Sequence, residues 1–150
     1  MGELSFIPAT ENDIPFINAV YNENIDSLHG VKRTDDVWKE LLSGKDEYYI
    51  VNAEVPVAWF RTEAEDGVFW LSMLQVMPIY KRKGIGKYVL SVVEDIAKAA
   101  GYRKIGIHTT EDNTAARGLY VSAGYGVTEV GPCTTADGER RVGYTFVKEI

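Results

Sequence analysis

The sequence predicts a single α/β domain over residues 1–150, built on one mixed, mostly antiparallel sheet of about six or seven strands with helices on both faces. In the middle of the chain, three β-like segments are joined by short polar turns, which is typical of antiparallel neighbours. A long amphipathic helix then separates two further strands, and this order predicts a right-handed parallel crossover. A length of 150 residues suits one core.

The first third of the chain predicts one strand and two helices. The helix signals are capping residues before an apolar periodic run and a glycine after it. The segment between the helices is polar and is predicted to be a connection. The predicted elements are a strand at Leu4–Ile7, a helix from Thr10 or Asn12 to about Glu23, a connection at Asn24–Arg33 and a helix from Thr34 to Gly44.

The rest of the chain predicts six strands around two helices. One helix begins at the glycines of positions 84 and 86 and stops at Gly101, and the other contains Tyr120. The predicted strands are Tyr48–Asn52, Pro56–Glu63, Val68–Val76, Lys104–His108, Tyr125–Val130 and Arg141–Lys148, with a link between the last two at Gly131–Glu139.

Composition narrows the function classes. A net charge of −6 argues against sequence-independent nucleic-acid binding and mildly favours a cationic substrate. No apolar run reaches membrane-spanning length and the N-terminus lacks the pattern of a signal peptide, so neither a membrane nor nucleic acid is expected as a partner. The single Cys133 permits no internal disulfide, which suits the cytoplasm, the expected location.

The segment Leu74–Tyr88 carries the strongest functional signal. An apolar strand runs through a basic turn into two glycines and a helix. Gly84 and Gly86 let the backbone approach an anion, and the start of the helix offers unpaired N–H groups to it. Four cations surround this point in an otherwise acidic chain, namely Lys81, Arg82, Lys83 and Lys87. The pattern predicts a site for a phosphorylated ligand, whereas the simpler interpretation is a basic turn.

Spacing excludes two common phosphate motifs. A Walker loop needs a glycine five positions before the Gly86-Lys87 pair and a hydroxyl residue after it, but Lys81 and Tyr88 stand there. A dinucleotide fingerprint needs a third glycine where the chain has Val89. Neither motif fits.

Two segments resemble the GNAT superfamily of N-acetyltransferases. Lys81-Arg82-Lys83-Gly84-Ile85-Gly86 is similar to the acyl-coenzyme A loop of that family, although Lys81 stands where Gln or Arg is usual and cannot bond in a bidentate way. Asn113–Tyr125 is similar to the helix that follows in the family, and places Asn113, Arg117 and Tyr120 on nearly the same face.

The resemblance implies acetyl-coenzyme A as cosubstrate, no metal, and two parallel strands that splay apart where the cosubstrate enters. Backbone groups of Leu74, Gln75 and Val76 would pair with the pantetheine arm, with the Leu74 N–H as donor to the oxyanion. The other residues that the resemblance assigns to the cosubstrate are Lys81, Arg82, Lys83, Gly84, Ile85, Gly86, Lys87, Asn113, Arg117 and Tyr120.

The resemblance also implies that Tyr120 donates a proton to the departing thiolate, a role that suits a phenol. The alternative interpretation is an aromatic ring that packs under the sheet. Candidates for the general base are Glu63, His108 and Glu111, which lie at strand ends or on loops near the expected cleft.

We therefore expect an N-acetyltransferase that moves an acetyl group directly to a primary amine of a small molecule or peptide. The alternative is a noncatalytic acyl-coenzyme A-binding regulatory module, against which Tyr120 argues because binding alone needs no proton donor there. A homodimer is possible in such a family.

Overall fold

The computed structural model describes residues 2–150, in which seven strands form one sheet of order β1-β2-β3-β4-β5-β7-β6. Only β4 and β5 are parallel neighbours. The predicted fold class is confirmed. The strands are β1 (Ser5–Pro8), β2 (Glu47–Ala53), β3 (Val55–Glu65), β4 (Val68–Val76), β5 (Lys104–Thr110), β6 (Gly126–Thr134) and β7 (Arg140–Glu149). The helices are α1 (Ile14–Glu23), α2 (Ile25–Leu28), α3 (Asp35–Leu42), α4 (Ile85–Ala99) and α5 (Thr114–Ser122), with short 3-10 turns at Glu11–Asp13 and Pro78–Tyr80.

Helices cover both faces of the sheet. Side chains of successive strand residues point to opposite faces, and in β3 Phe60 packs in the cluster under α4 while Trp59 packs in the cluster under α1 and α3. Trp38 of α3 meets Trp59 edge to face at 5.4 Å. Among residues 2–150, no helix is both long enough and apolar enough to span a membrane.

Two segments differ from the predicted elements. The connection after Glu23 contains α2, whose first turn is held by bonds from the Ser27 hydroxyl and the Leu28 N–H to the Asn24 carbonyl. Strand β6 continues to Thr134, beyond the predicted end at Val130. Pro132 is tolerated there because β6 is an edge strand, so the missing N–H removes no hydrogen bond to a second neighbouring strand.

Strands β4 and β5 separate soon after they meet. Their parallel pairing consists of Phe69 with Ile105 and Trp70 with Gly106. Directly afterwards the register of β4 against β3 shifts, and Ser72 is the extra residue that stands opposite no residue of β3. Such a bulge bends a strand and increases its twist. The predicted splayed parallel pair is therefore present, with a gap between the carboxyl ends of the two strands.

We predict that Gly106→Ala destabilises the protein by about 1–3 kcal/mol, because a Cβ there would overlap the Trp70 indole, which is stacked on the His108 ring at 4.5 Å. Urea unfolding measures the change. Gly126→Ala is the matched control in β6, since a Cβ at that position meets nothing within 4 Å. Equal stability of the two variants would contradict tight packing at the last β4–β5 pair.

Candidate active site

The gap between β4 and β5 exposes backbone groups of β4. The Met77 N–H donates to the Val57 carbonyl of β3 at 3.0 Å. Because backbone groups alternate between the two edges of a strand, those of Gln75 also face β3, whereas those of Leu74 and Val76 face the gap. Of the three residues predicted to line the pantetheine arm, two therefore offer backbone groups to the gap, and Gln75 directs its own toward β3.

Asn24 occupies part of the gap. Its Nδ2 donates to the Val76 carbonyl at 2.9 Å and to Gln75 Oε1 at 3.2 Å. The first bond confirms that the Val76 carbonyl points away from β3. Asn24 and Gln75 are both buried, so these amides hold the start of α2 against the end of β4. The sequence carries no local signal for this contact, because Asn24 is one polar residue in a polar segment.

The basic loop ends at the start of α4. Gly84 has φ +85°, a left-handed conformation that favours glycine, and it directly precedes α4. A Cβ at Gly86 would lie 2.8 Å from Leu119 Cδ2, so the second glycine permits close packing of α4 on α5. Ile85 between them is buried and fixes the loop to the core.

The four cations predicted around this loop are exposed, and within residues 2–150 none of them forms an ion pair. Lys81, Arg82 and Lys83 precede a helix of 15 residues, and Lys87 lies in its first turn. Unpaired N–H groups, the helix dipole and free cations favour an anion at the same point. The chemistry of the loop therefore fits a pyrophosphate.

Tyr120 lies in α5 and is 7% exposed, with its ring 5.4 Å from Phe146 and 6.3 Å from Tyr125. Burial raises the pKa of the Tyr120 phenol to about 12. No hydrogen bond involves its hydroxyl within the part of the chain that the structure describes. The residue packs in the core as the alternative interpretation expected, and its phenol also keeps its proton at neutral pH.

Asn113 and Arg117 already have partners in the protein. Asn113 caps α5, since its Oδ1 accepts from the Ala116 N–H at 3.2 Å. Arg117 Nη1 donates to the Glu111 carbonyl at 2.9 Å, and its guanidinium lies 4.3 Å above the Tyr144 ring. Both residues stabilise the loop between β5 and α5. Direct contact of either residue with the cosubstrate remains a prediction.

A cleft of about 480 Å³ lies beside the gap, over β5, β7 and β6. It is on the sheet face that carries His108 and α2, opposite α5. Within residues 2–150, no three His, Cys, Asp or Glu side chains are grouped to hold a metal ion. The side chains and backbone that line the cleft include those of Ser27, Leu28, His108, Glu129, Cys133 and Thr145.

The three candidate bases lie in different environments. His108 lines the cleft, and its Nδ1 lies 3.0 Å from Thr145 Oγ1. Glu111 is exposed on the loop after β5 and does not line the cleft. Glu63 lies in β3 and pairs with Trp70 of β4. Burial and the nearby Asp46 carboxylate raise the pKa of Glu63.

Glu129 is the one carboxylate that lines the cleft within the described residues, and sequence reasoning missed it. Its position depends on a register shift in β6, in which Thr128 is the extra residue that stands opposite no residue of β7. A bulge of this kind has no reliable local signal in the sequence, so the face on which Glu129 lies could not be predicted.

Comparison with known proteins identifies the family. The sequence profile of the Acetyltransferase (GNAT) family matches residues 17–125. Probable N-acetyltransferase 14 of Xenopus tropicalis is 37% identical over 79 residues, which are 53% of this chain and 34% of that protein. The matched segment thus spans about a third of that relative's length.

Solved structures share the fold at low identity. A ribosomal-protein-alanine N-acetyltransferase from Brucella melitensis superposes with a TM-score of 0.84 at 15% identity, covering 97% of this chain and 99% of that one. A GNAT superfamily phosphinothricin acetyltransferase from Sinorhizobium meliloti, in complex with AcCoA, gives 0.84 at 15% identity over 98% and 88% of the two chains. The profile match covers most of this chain, which therefore belongs to the Acetyltransferase (GNAT) family, as its two motifs predicted.

Proposed function

We propose that this protein transfers the acetyl group of acetyl-coenzyme A directly to the primary amine of a small molecule or peptide. The observation that carries the proposal is the gap between β4 and β5, where backbone groups of Leu74 and Val76 lack a strand partner and the next segment of chain is the glycine loop. Membership of the GNAT family supports it. A structural neighbour from Sinorhizobium meliloti was solved in complex with AcCoA.

The residues at the gap fit the parts of acetyl-coenzyme A. Backbone N–H groups from Gly84 into α4 would bind the pyrophosphate, with Lys81, Arg82, Lys83 and Lys87 adding charge. Leu74 and Val76 would pair with the amides of the pantetheine arm as a neighbouring strand does. When bound, the thioester supplies an activated acetyl group and a thiolate leaving group.

Three groups of the chain would serve the transfer. The Leu74 N–H faces the gap and would donate to the oxygen that gains charge as the new C–N bond forms and the C–S bond breaks. The Tyr120 hydroxyl keeps its proton at neutral pH and would donate it to the departing thiolate. His108 lines the cleft beside the gap and would take the proton that the amine loses.

Several further expectations about the location, assembly and partners of the protein remain predictions. These are the cytoplasmic location, a homodimer, the lack of a metal, and the lack of membrane and nucleic-acid partners. The competing proposal is a noncatalytic module that binds acyl-coenzyme A for regulation. Both proposals predict that the protein binds coenzyme A, but only the first predicts turnover of an amine.

We predict that Gly84→Ala weakens coenzyme A binding by on the order of tenfold, since an L-residue in the left-handed conformation costs about 1–2 kcal/mol and distorts the loop. Gly67→Ala is a matched control in the β3–β4 turn, because Gly67 also has a positive φ and a Cβ there meets nothing within 4 Å. Calorimetric titration with coenzyme A measures both. An equal loss in the two variants would contradict the assignment of the loop.

We predict that incubation with acetyl-coenzyme A and a panel of primary amines releases free thiol, and that Tyr120→Phe lowers kcat by about 100-fold without changing coenzyme A binding. Phenylalanine keeps the ring packing and removes the proton donor. Tyr125→Phe is the control, because the Tyr125 hydroxyl is buried and has no hydrogen-bond partner among residues 2–150, so its removal leaves packing intact.

Coenzyme A binding without turnover on any amine would favour the regulatory module. Full activity of the Tyr120→Phe variant would remove Tyr120 from the mechanism and leave the proposed reaction standing.

A further inference from the structure

We propose that the cleft over β5, β7 and β6 is the acceptor site and that Glu129 binds a second positive charge on the acceptor. The preferred acceptor class is then a primary amine that carries an additional ammonium several carbon atoms away. This inference rests on the proposed function and adds a substrate class to it. Four features of the structure carry it.

A row of side chains crosses three strands of the cleft floor. His108 of β5 pairs with Thr145 of β7, and Thr145 pairs with Glu129 of β6. Directly paired residues of antiparallel strands have their side chains on the same face. The bond between His108 Nδ1 and Thr145 Oγ1 at 3.0 Å agrees with this. The row thus leads from the β4–β5 gap to the edge of the sheet and ends at Glu129.

The bulge in β6 puts Glu129 in this row. Val127 pairs with Phe146, whose side chain lies in the core under α4 and α5, and Thr128 is the extra residue. Without the bulge, Thr128 would oppose Thr145 and Glu129 would lie on the opposite face. Bulges commonly redirect a side chain next to a functional site.

The floor beside Glu129 is open above Gly131, whereas the Cys133 side chain lies over Gly143. Gly131 of β6 pairs with Gly143 of β7, and both line the cleft. A Cβ at Gly131 would meet no heavy atom within 4 Å, so the space above that residue is open. An extended aliphatic chain can lie across this depression.

Two other carboxylates near the cleft have cationic or histidine partners within the protein. Asp112 bonds to His29 Nε2 at 2.7 Å, and Asp137 pairs with Arg141 at 2.9 Å. Across residues 2–150, no Lys, Arg or His nitrogen forms an ion pair with the Glu129 carboxylate. Glu129 is exposed, so its carboxylate is accessible to a cation on the acceptor.

The spacing sets the length of the acceptor. Glu129 lies two strand spacings from His108, which is about 10 Å between their Cα atoms. An acceptor whose amine reaches the gap beside β5 therefore needs a chain of several methylenes to place its other ammonium at Glu129. A short monoamine reaches the gap but leaves the carboxylate without a partner.

Matched pairs of acceptors test the proposal. Putrescine against n-pentylamine, and cadaverine against n-hexylamine, differ mainly by an ammonium in place of a methyl group. We expect kcat/KM of the wild type to favour each diamine by about tenfold, as one charge-assisted contact would give. Glu129→Gln should lower the ratio to near one, because the diamine loses its additional contact. Glu149→Gln, at the far end of β7, removes the same charge away from the cleft and should keep the full ratio.

The possible failures are distinguishable. Equal rates for diamine and monoamine in the wild type would overturn the role of Glu129 and leave the acetyltransferase proposal intact. The same ratio in Glu129→Gln as in the wild type would do so as well, as would turnover confined to peptide N termini. Coenzyme A binding with no turnover on any amine would overturn the proposed function itself, and this inference with it.

Discussion

The candidate site depends on one constraint, which is that β4 and β5 pair at only two positions before they separate. In a continuous sheet, the backbone groups of Leu74 and Val76 would be bonded to β5. Leu74 and Val76 are half-buried, so their backbone groups at the gap are accessible to another hydrogen-bonding partner. Asn24 supplies one by donating to the Val76 carbonyl, and the amides of an extended ligand can satisfy the others.

The same separation places the gap between β4 and β5 beside the cleft. On the face that carries α1 and α3, aromatic packing around Trp59 fills the half of the sheet before the gap. Beyond the gap the same face carries the polar row from His108 to Glu129 and remains open as the cleft. Helix α2 spans the two halves, because Asn24 at its start contacts β4 while Ser27 lines the cleft. A ligand in the gap therefore lies next to anything bound in the cleft.

Much of the fold could be predicted because its signals are local. Periodic apolar residues, capping residues and glycines at left-handed positions located α4, most strand boundaries and the loop at Gly84. The short helix α2 and the contact of Asn24 with Val76 depend on residues far apart in the chain, so no local pattern reports them. Glu129 was missed because one extra residue in β6 decides the face it occupies. Motif resemblance singled out Tyr120 but carried no information on its burial.

Amide hydrogen exchange along β4, measured by NMR with and without saturating acetyl-coenzyme A, tests the role of the gap most directly. The Leu74 and Val76 N–H groups face the gap, so we expect both to gain strong protection when the cosubstrate binds. The Gln75 N–H faces β3 and should change little. Binding without added protection at Leu74 and Val76, or with equal gains at all three amides, would contradict a strand-like contact between β4 and the pantetheine arm.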